Sequence, residues 1–231
     1  MALNLLKLFC DVSTKKLVKS AFDPTPYVLP AFFNNDKVRI ELQCLMANDR
    51  GGLSAMFKPI EDAFSVELGL ADVADSPTER AAVTLTQRYK LWSVDIITAG
   101  TDYTVGDTLT VDTTTAVINP EIKVTGADSG NVTSVEILNE GVVTTVGSYS
   151  AAGFATSHKT RADSSATGLK LRCVFASIHE GVLDLSGSSF DTWLGSSLTK
   201  ETSFEIRAYS GSDWESTVFQ TTATVKADGF Q

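Results

Sequence analysis

The sequence is poor in the side chains that most enzymes rely on. Among 231 residues there are two histidines and three cysteines. Cys10, Cys44 and Cys173 lie far apart, in neither a paired metal motif nor a disulfide framework. Cys44 and Cys173 take inward positions of strand patterns and read as small buried hydrophobes in a reducing compartment. Basic residues are also scarce: 19 Lys and Arg against 28 Asp and Glu give a net charge of -9. Such a surface is a poor non-specific partner for nucleic acid, and an anionic membrane leaflet repels it. No apolar run reaches the length of a membrane span, so no membrane insertion is expected. What remains, 43% hydrophobic and 20% charged, is the composition of an ordinary folded chain.

The few chemical candidates do not converge in sequence. His158 sits in a polar loop, and His179 lies beside Glu180 and near Asp184. A metal or catalytic site there needs a third convergent group, so His179 reads as an exposed turn histidine. `GSSF` and `GSYS` lack the glycine spacing of a nucleophile elbow. Glu61 and Asp62 are adjacent and diverge on a strand. `GADSGN` has neither a phosphate-loop lysine nor calcium-loop spacing; it reads as a tight turn. Asp107, Asp112 and Asp128 offer at most an adventitious cation contact. No enzymatic activity, cofactor or metal is expected.

Period-two alternation dominates the rest. In `KVRIELQCLM`, Val38, Ile40, Leu42, Cys44 and Met46 alternate with polar residues. `FSVELGL`, `AVTLTQRYKLW`, `LKLRCVF`, `SFEIRAY` and `FQTTATV` repeat the pattern. One short helix is expected in `GSSFDTWLG`, with Ser188 as N-cap, Asp191 three residues on, and Gly195 just past its end. Phe190, Trp193 and Leu194 form its apolar side. `FDPTPYVLP` holds three prolines and reads as an extended linker. `MALNLLKLFC` lacks a positively charged start and a cleavage site, and reads as a short amphipathic arm or strand.

Between Gly100 and Gly141 the texture changes to glycine, threonine, valine and aspartate. Ile122 and Val124 can pair with Val135 and Ile137 across a hairpin. The expected fold is therefore mainly β: a β-sandwich with one short helix and an inserted small β module. The expected divisions are an arm and linker over 1–30, the first part of the sandwich over 31–97, the module over 98–157, and the second part over 158–231. Insertion at an exposed loop tip is well tolerated, and a module this small has a thin core.

The order of pieces in `GVLDLSGSSFDTWLGSSLTKETSFEIRAYSGSDWESTVFQTTATVKADG` resembles small virion proteins of tailed bacteriophages and prophages. `NNDKVRIELQCL` is similar to the opening strand of the sandwich in baseplate upper proteins. `GTDYTVGDTLTV` with `VTGADSGNVTSVEILNEG` resembles a short β module of phage tail, fibre and capsid-associated proteins, although `GVVTTVGSYS` lacks its usual closing proline. The resemblance implies a non-enzymatic virion component, a tail, baseplate or fibre-adaptor subunit assembled in the host bacterial cytoplasm. Its partners would be other virion proteins and copies of itself. A capsid decoration protein is the first alternative. A carbohydrate or receptor-binding module, touching a host surface glycan through Trp214 and Tyr209, is the second. The candidate partner contacts are Leu5, Leu8 and Phe9 of the arm and Trp214 in the turn `SGSDWES`. Apolar side chains of this size contribute about 1.5 to 3 kcal/mol each when buried, so an arm left idle in water is disfavoured.

Overall fold

The computed structural model describes residues 4–11, 14–47, 53–55, 64–72, 79–145, 153–159, 165–186, 192–210 and 214–227. The fold is mainly β with mixed sheet topology and one short helix. In chain order the strands are β1 (Asn4–Asp11), β2 (Lys16–Ser20), β3 (Asp23–Pro26), β4 (Phe32–Phe33), β5 (Lys37–Ala47), β6 (Leu53–Ala55), β7 (Phe64–Asp72), β8 (Glu79–Thr101) and β9 (Thr108–Val111). Then follow β10 (Ala116–Ile118), β11 (Glu121–Asp128), β12 (Asn131–Asn139), β13 (Val142–Val143), β14 (Phe154–His158), β15 (Thr167–Asp184), β16 (Thr199–Ser210) and β17 (Trp214–Lys226). The chain forms two compact units, Met1–Gln87 with Ile178–Gln231, and Arg88–Ser177.

In the first unit the alternation of β5 decides the arrangement. Val38, Ile40, Leu42 and Cys44 are buried on one face, as the sequence pattern requires. On one side β5 pairs in parallel with β1, through Leu6↔Ile40, Leu8↔Leu42 and Cys10↔Cys44. On the other it pairs antiparallel with β15, through Leu183↔Val38 and His179↔Leu42. β2 and β3 continue the sheet beyond β1. A second ladder is centred on β16, which pairs antiparallel with both β17 and β7. β7 pairs in turn with β8, and the short β4 lies parallel to the end of β17.

The apolar faces of these ladders meet in one cluster. Leu8, Ile40, Leu42 and Leu183 from the first pack with Leu68, Leu70, Phe204, Ile206 and Val225 from the second. The Phe32 ring stacks on Phe204 at 6.0 Å between centroids, and Phe219 meets Phe204 edge-on at 6.3 Å. Offset and edge-on pairs of this kind add about 0.5 to 1.5 kcal/mol beyond the area they bury.

The segment read as an arm belongs to this unit as strands. β1 makes eight consecutive pairs with β5. Leu6, Leu8 and Cys10 point into the cluster, which leaves Leu5, Lys7 and Phe9 on the other face. The helical turn spans 192–194. Trp193 and Leu194 pack against the cluster, and Lys200 sits 5.2 Å above the Trp193 ring. Gly195 ends the turn at φ 57°, a left-handed conformation that suits glycine. Ser188, Phe190 and Asp191 lie outside the described residues.

The second unit begins earlier and ends later than residues 98–157. Its hairpin has the register legible in the sequence, Ile122↔Ile137 and Val124↔Val135. Ser129 and Gly130 close it with φ of 49° and 84°. Two successive positive φ values make the type I′ turn that matches strand twist. β9 pairs with β11 and with β14, whose first residues pair with β15 instead. The buried cluster joins Leu109, Val111, Ile122, Val124 and Val132 to Leu91 of β8 and to Leu169, Leu171, Cys173 and Phe175 of β15. Those last five residues lie outside 98–157. The core is thicker than a cassette of that length would build, because two long strands continue into it.

Candidate functional site

The titratable side chains are placed against joint chemistry. His179 is corrected from an exposed turn position to a buried one within β15. The strand runs unbroken to Asp184, and five consecutive residues, 175–179, are buried, so both faces of β15 are covered at His179. Burial pushes the imidazole pKa down to about 4. Nδ1 has no hydrogen-bond partner among the described residues. Asp184 lies five positions on and faces the opposite way, exposed. It pairs with Lys37 at 2.7 Å and accepts from Ser186, and these contacts hold its carboxyl well below the usual range. An odd offset along one strand separates the two side chains by the sheet itself. All three cysteines are free and buried. Burial pushes Cys44 and Cys173 up to about 12 and raises Cys10 as well, so the reactive thiolate is suppressed.

The aspartates of the second unit are held by local and cross-strand hydrogen bonds. Asp107 is buried and accepts the Thr104 backbone N–H at 2.9 Å and its hydroxyl at 3.2 Å. Asp112 accepts from Ser157 Oγ at 2.8 Å. No group of three or more metal-ligating side chains forms among the described residues.

A polar network escaped the sequence reading. On β16, Ser203, Glu205 and Arg207 share one face. Glu205 accepts from Ser203 Oγ at 3.0 Å, from Gln220 Nε2 at 3.0 Å and from Arg207 at 2.6 Å. The pair opposite Glu205 on β7 is Gly69, which puts no side chain beside the carboxylate. The signal was present as S-x-E-x-R in `TSFEIRAY` facing the glycine of `VELGL`. Every carboxylate oxygen is committed to a donor, which makes the network a brace between strands rather than a reactive centre.

The candidate contact residues fall in different settings. Leu8 is 1% exposed and is part of the core; its side chain has no surface to offer a partner. Leu5 is 50% exposed, and Phe9 is half-buried opposite Val18. The Trp214 backbone pairs with Ser210 at the start of β17, while the side chains of Trp214 and Tyr209 lie outside what the structure describes. Around Leu5 the face of the first sheet opposite Leu6 and Ile40 carries three ion pairs, Lys7–Glu41 at 3.4 Å, Arg39–Glu180 at 3.1 Å and Lys37–Asp184 at 2.7 Å; further along the same face Leu45 and Ile178 are buried. Val182 is exposed on the same face. The chain matches no protein-family model, no curated protein and no solved structure.

Proposed function

We propose that the protein is a non-enzymatic structural component of a tailed phage virion, a tail, baseplate or fibre-adaptor subunit that works through protein–protein contacts. In this reading the first unit is a β-sandwich and the second is the β module inserted into it. The observation that carries the reading is the construction of the second unit. Its glycine- and threonine-rich hairpin is built onto β8 and β15, strands that also belong to the first unit. Shared strands suit a spacer or display element. The separation of His179 from Asp184 and the suppressed thiols support a role without chemistry. The likeness of `NNDKVRIELQCL` and `GTDYTVGDTLTV` to phage structural proteins supplies the class.

The test is direct. An antibody raised against the chain is applied to purified particles from the culture that encodes it, and the labelled particles are imaged by electron microscopy. Label at the tail end is the expected result. Label on the head moves the protein to the capsid decoration alternative. Absence of the chain from particles, by labelling and by mass spectrometry, overturns the virion role.

A further inference from the structure

Cys10 and Cys44 are distant in sequence but adjacent in the fold. The parallel ladder of β1 and β5 pairs them directly, Cys10↔Cys44. Paired residues of neighbouring strands turn their side chains to one face, and both thiols enter the same buried cluster. Burial most of all, then the charge of a Cys44 thiolate, then Asp11, raises the Cys10 thiol. Each sulfur therefore lies within the other's field. Neighbouring strands run about 4.8 Å apart, inside the roughly 4.4 to 6.8 Å between Cα atoms that a disulfide spans. Cys173 belongs to the other buried cluster.

The pair stands near the end of its ladder. Only Asp11↔Leu45 follows it, and beyond Asp11 the chain turns back into β2. Opening a strand end costs far less than unfolding a whole unit, and it frees thiols that the closed sheet keeps protonated. We propose that Cys10 and Cys44 form a reversible redox pair, which a small-molecule disulfide closes into a bridge stapling β1 to β5. One thiol, as its thiolate, attacks a sulfur of the oxidant R–S–S–R and expels R–S⁻, which takes up a proton. The second thiolate attacks the protein sulfur of that mixed disulfide and expels the other R–S⁻, which is protonated in turn. Two electrons and two protons thus pass from the protein thiols to the oxidant, leaving two R–SH. The closed bridge is neutral, so the apolar cluster accepts it. Side chains of paired parallel residues start at about the strand spacing, wider than the roughly 3.8 Å between Cβ atoms of a relaxed bridge. A bond closed under that strain is readily reduced, which makes the pair reversible. This chemistry is independent of the virion role.

Oxidised 2-mercaptoethanol tests it, applied to the folded full chain without denaturant at about pH 8, near the ordinary thiol pKa. The intact mass should fall by the two thiol hydrogens. A digest of that product should hold one peptide pair joined through Cys10 and Cys44, and dithiothreitol should restore the original mass. Cys10→Ala and Cys44→Ala should each abolish the loss, whereas Cys173→Ala should leave it unchanged. Circular dichroism checks that each variant is folded, and the wild-type peptide map decides the question even where an alanine in the core unfolds the chain. An unchanged mass overturns the proposal. So do mixed disulfides that never resolve, a bridge through Cys173 or between chains, and a bridge that forms only in urea. A Cys10–Cys44 bridge that dithiothreitol leaves intact in the folded chain overturns its reversibility.

Discussion

The two units hold themselves together in different ways. The first joins strands that are distant in sequence: β5 to β15, and β7 to β16. Its stability lies in the cluster where those ladders meet. The second mixes a tight hairpin, β11 to β12, with pairs across tens of residues, β8 to β13 and β9 to β14. Six of its described glycines, from Gly100 to Gly168, have positive φ, against Gly195 of the three described in the first. Both units close long-range ladders over a buried cluster, and the second adds turns that require positive φ. They should therefore fail under different substitutions.

The sharpest way to break this contrast is to remove the second unit. Replacing 88–177 with a short Gly-Ser bridge should leave the first unit folding cooperatively, since its whole cluster lies outside that span. Replacing only 98–157 should give an aggregating protein, because Leu91, Leu169, Leu171, Cys173 and Phe175 would lose their covering partners. Each such side chain costs about 1.5 to 3 kcal/mol when exposed. Equal solubility and equal denaturation midpoints for the two deletions would show that β8 and β15 do not depend on the module.

Acid should act next, and on the first unit. His179 has a folded pKa of about 4 against an ordinary 6.5. Between those values the unfolded chain binds a proton that the folded chain does not, so stability present above pH 6.5 is lost as pH falls toward 4. At about 1.4 kcal/mol per pKa unit, the full loss is on the order of 3 kcal/mol. Calorimetric melts from pH 7 to 4 should show the transition of the first unit falling in temperature. In His179→Leu that fall should flatten. An unchanged pH dependence in the variant would mean that other groups govern acid stability.

The smallest effect separates strain from crowding within the second unit. A Cβ at Gly141 (φ 61°) would stand 2.5 Å from Pro120 N and 2.7 Å from the Ile118 carbonyl oxygen. At Gly106 (φ 99°) it would meet nothing within 4 Å. Alanine at Gly106 should cost only the strained backbone, about 1 to 3 kcal/mol. Alanine at Gly141 should cost more, because backbone atoms cannot step aside. Urea midpoints that order the two variants the other way would remove crowding as the reason for glycine at 141.

The parts legible in the sequence were those set by local rules. β5 was plain from alternation, and the β11–β12 register followed from apolar pairs flanking `GADSGN`. The boundary of the second unit was not, because β8 and β15 run unbroken past the point where one cluster gives way to the other. The parallel pairing of β1 with β5 was hidden too: the apolar run of `NLLKLFC` grouped Leu5, Leu8 and Phe9 as contacts, and only the neighbouring strand separates inward Leu8 from outward Leu5 and Phe9. His179 looked exposed because Glu180 and Asp184 surround it in sequence, while the structure covers both faces of β15 over 175–179.

The long separation between β7 and β16 also sets an order of events at the ribosome. The residues of the second unit are contiguous, so that unit can close as soon as it has emerged. The first unit cannot, because β5 and β7 wait for strands made near the end of the chain. At a synthesis rate of about 5 to 20 residues per second, the wait is on the order of ten seconds. Throughout it, two strands with fully apolar faces stand without their final neighbours, and a nascent chain in that state is where a holding chaperone, or a neighbouring copy on the same messenger, would find its opening.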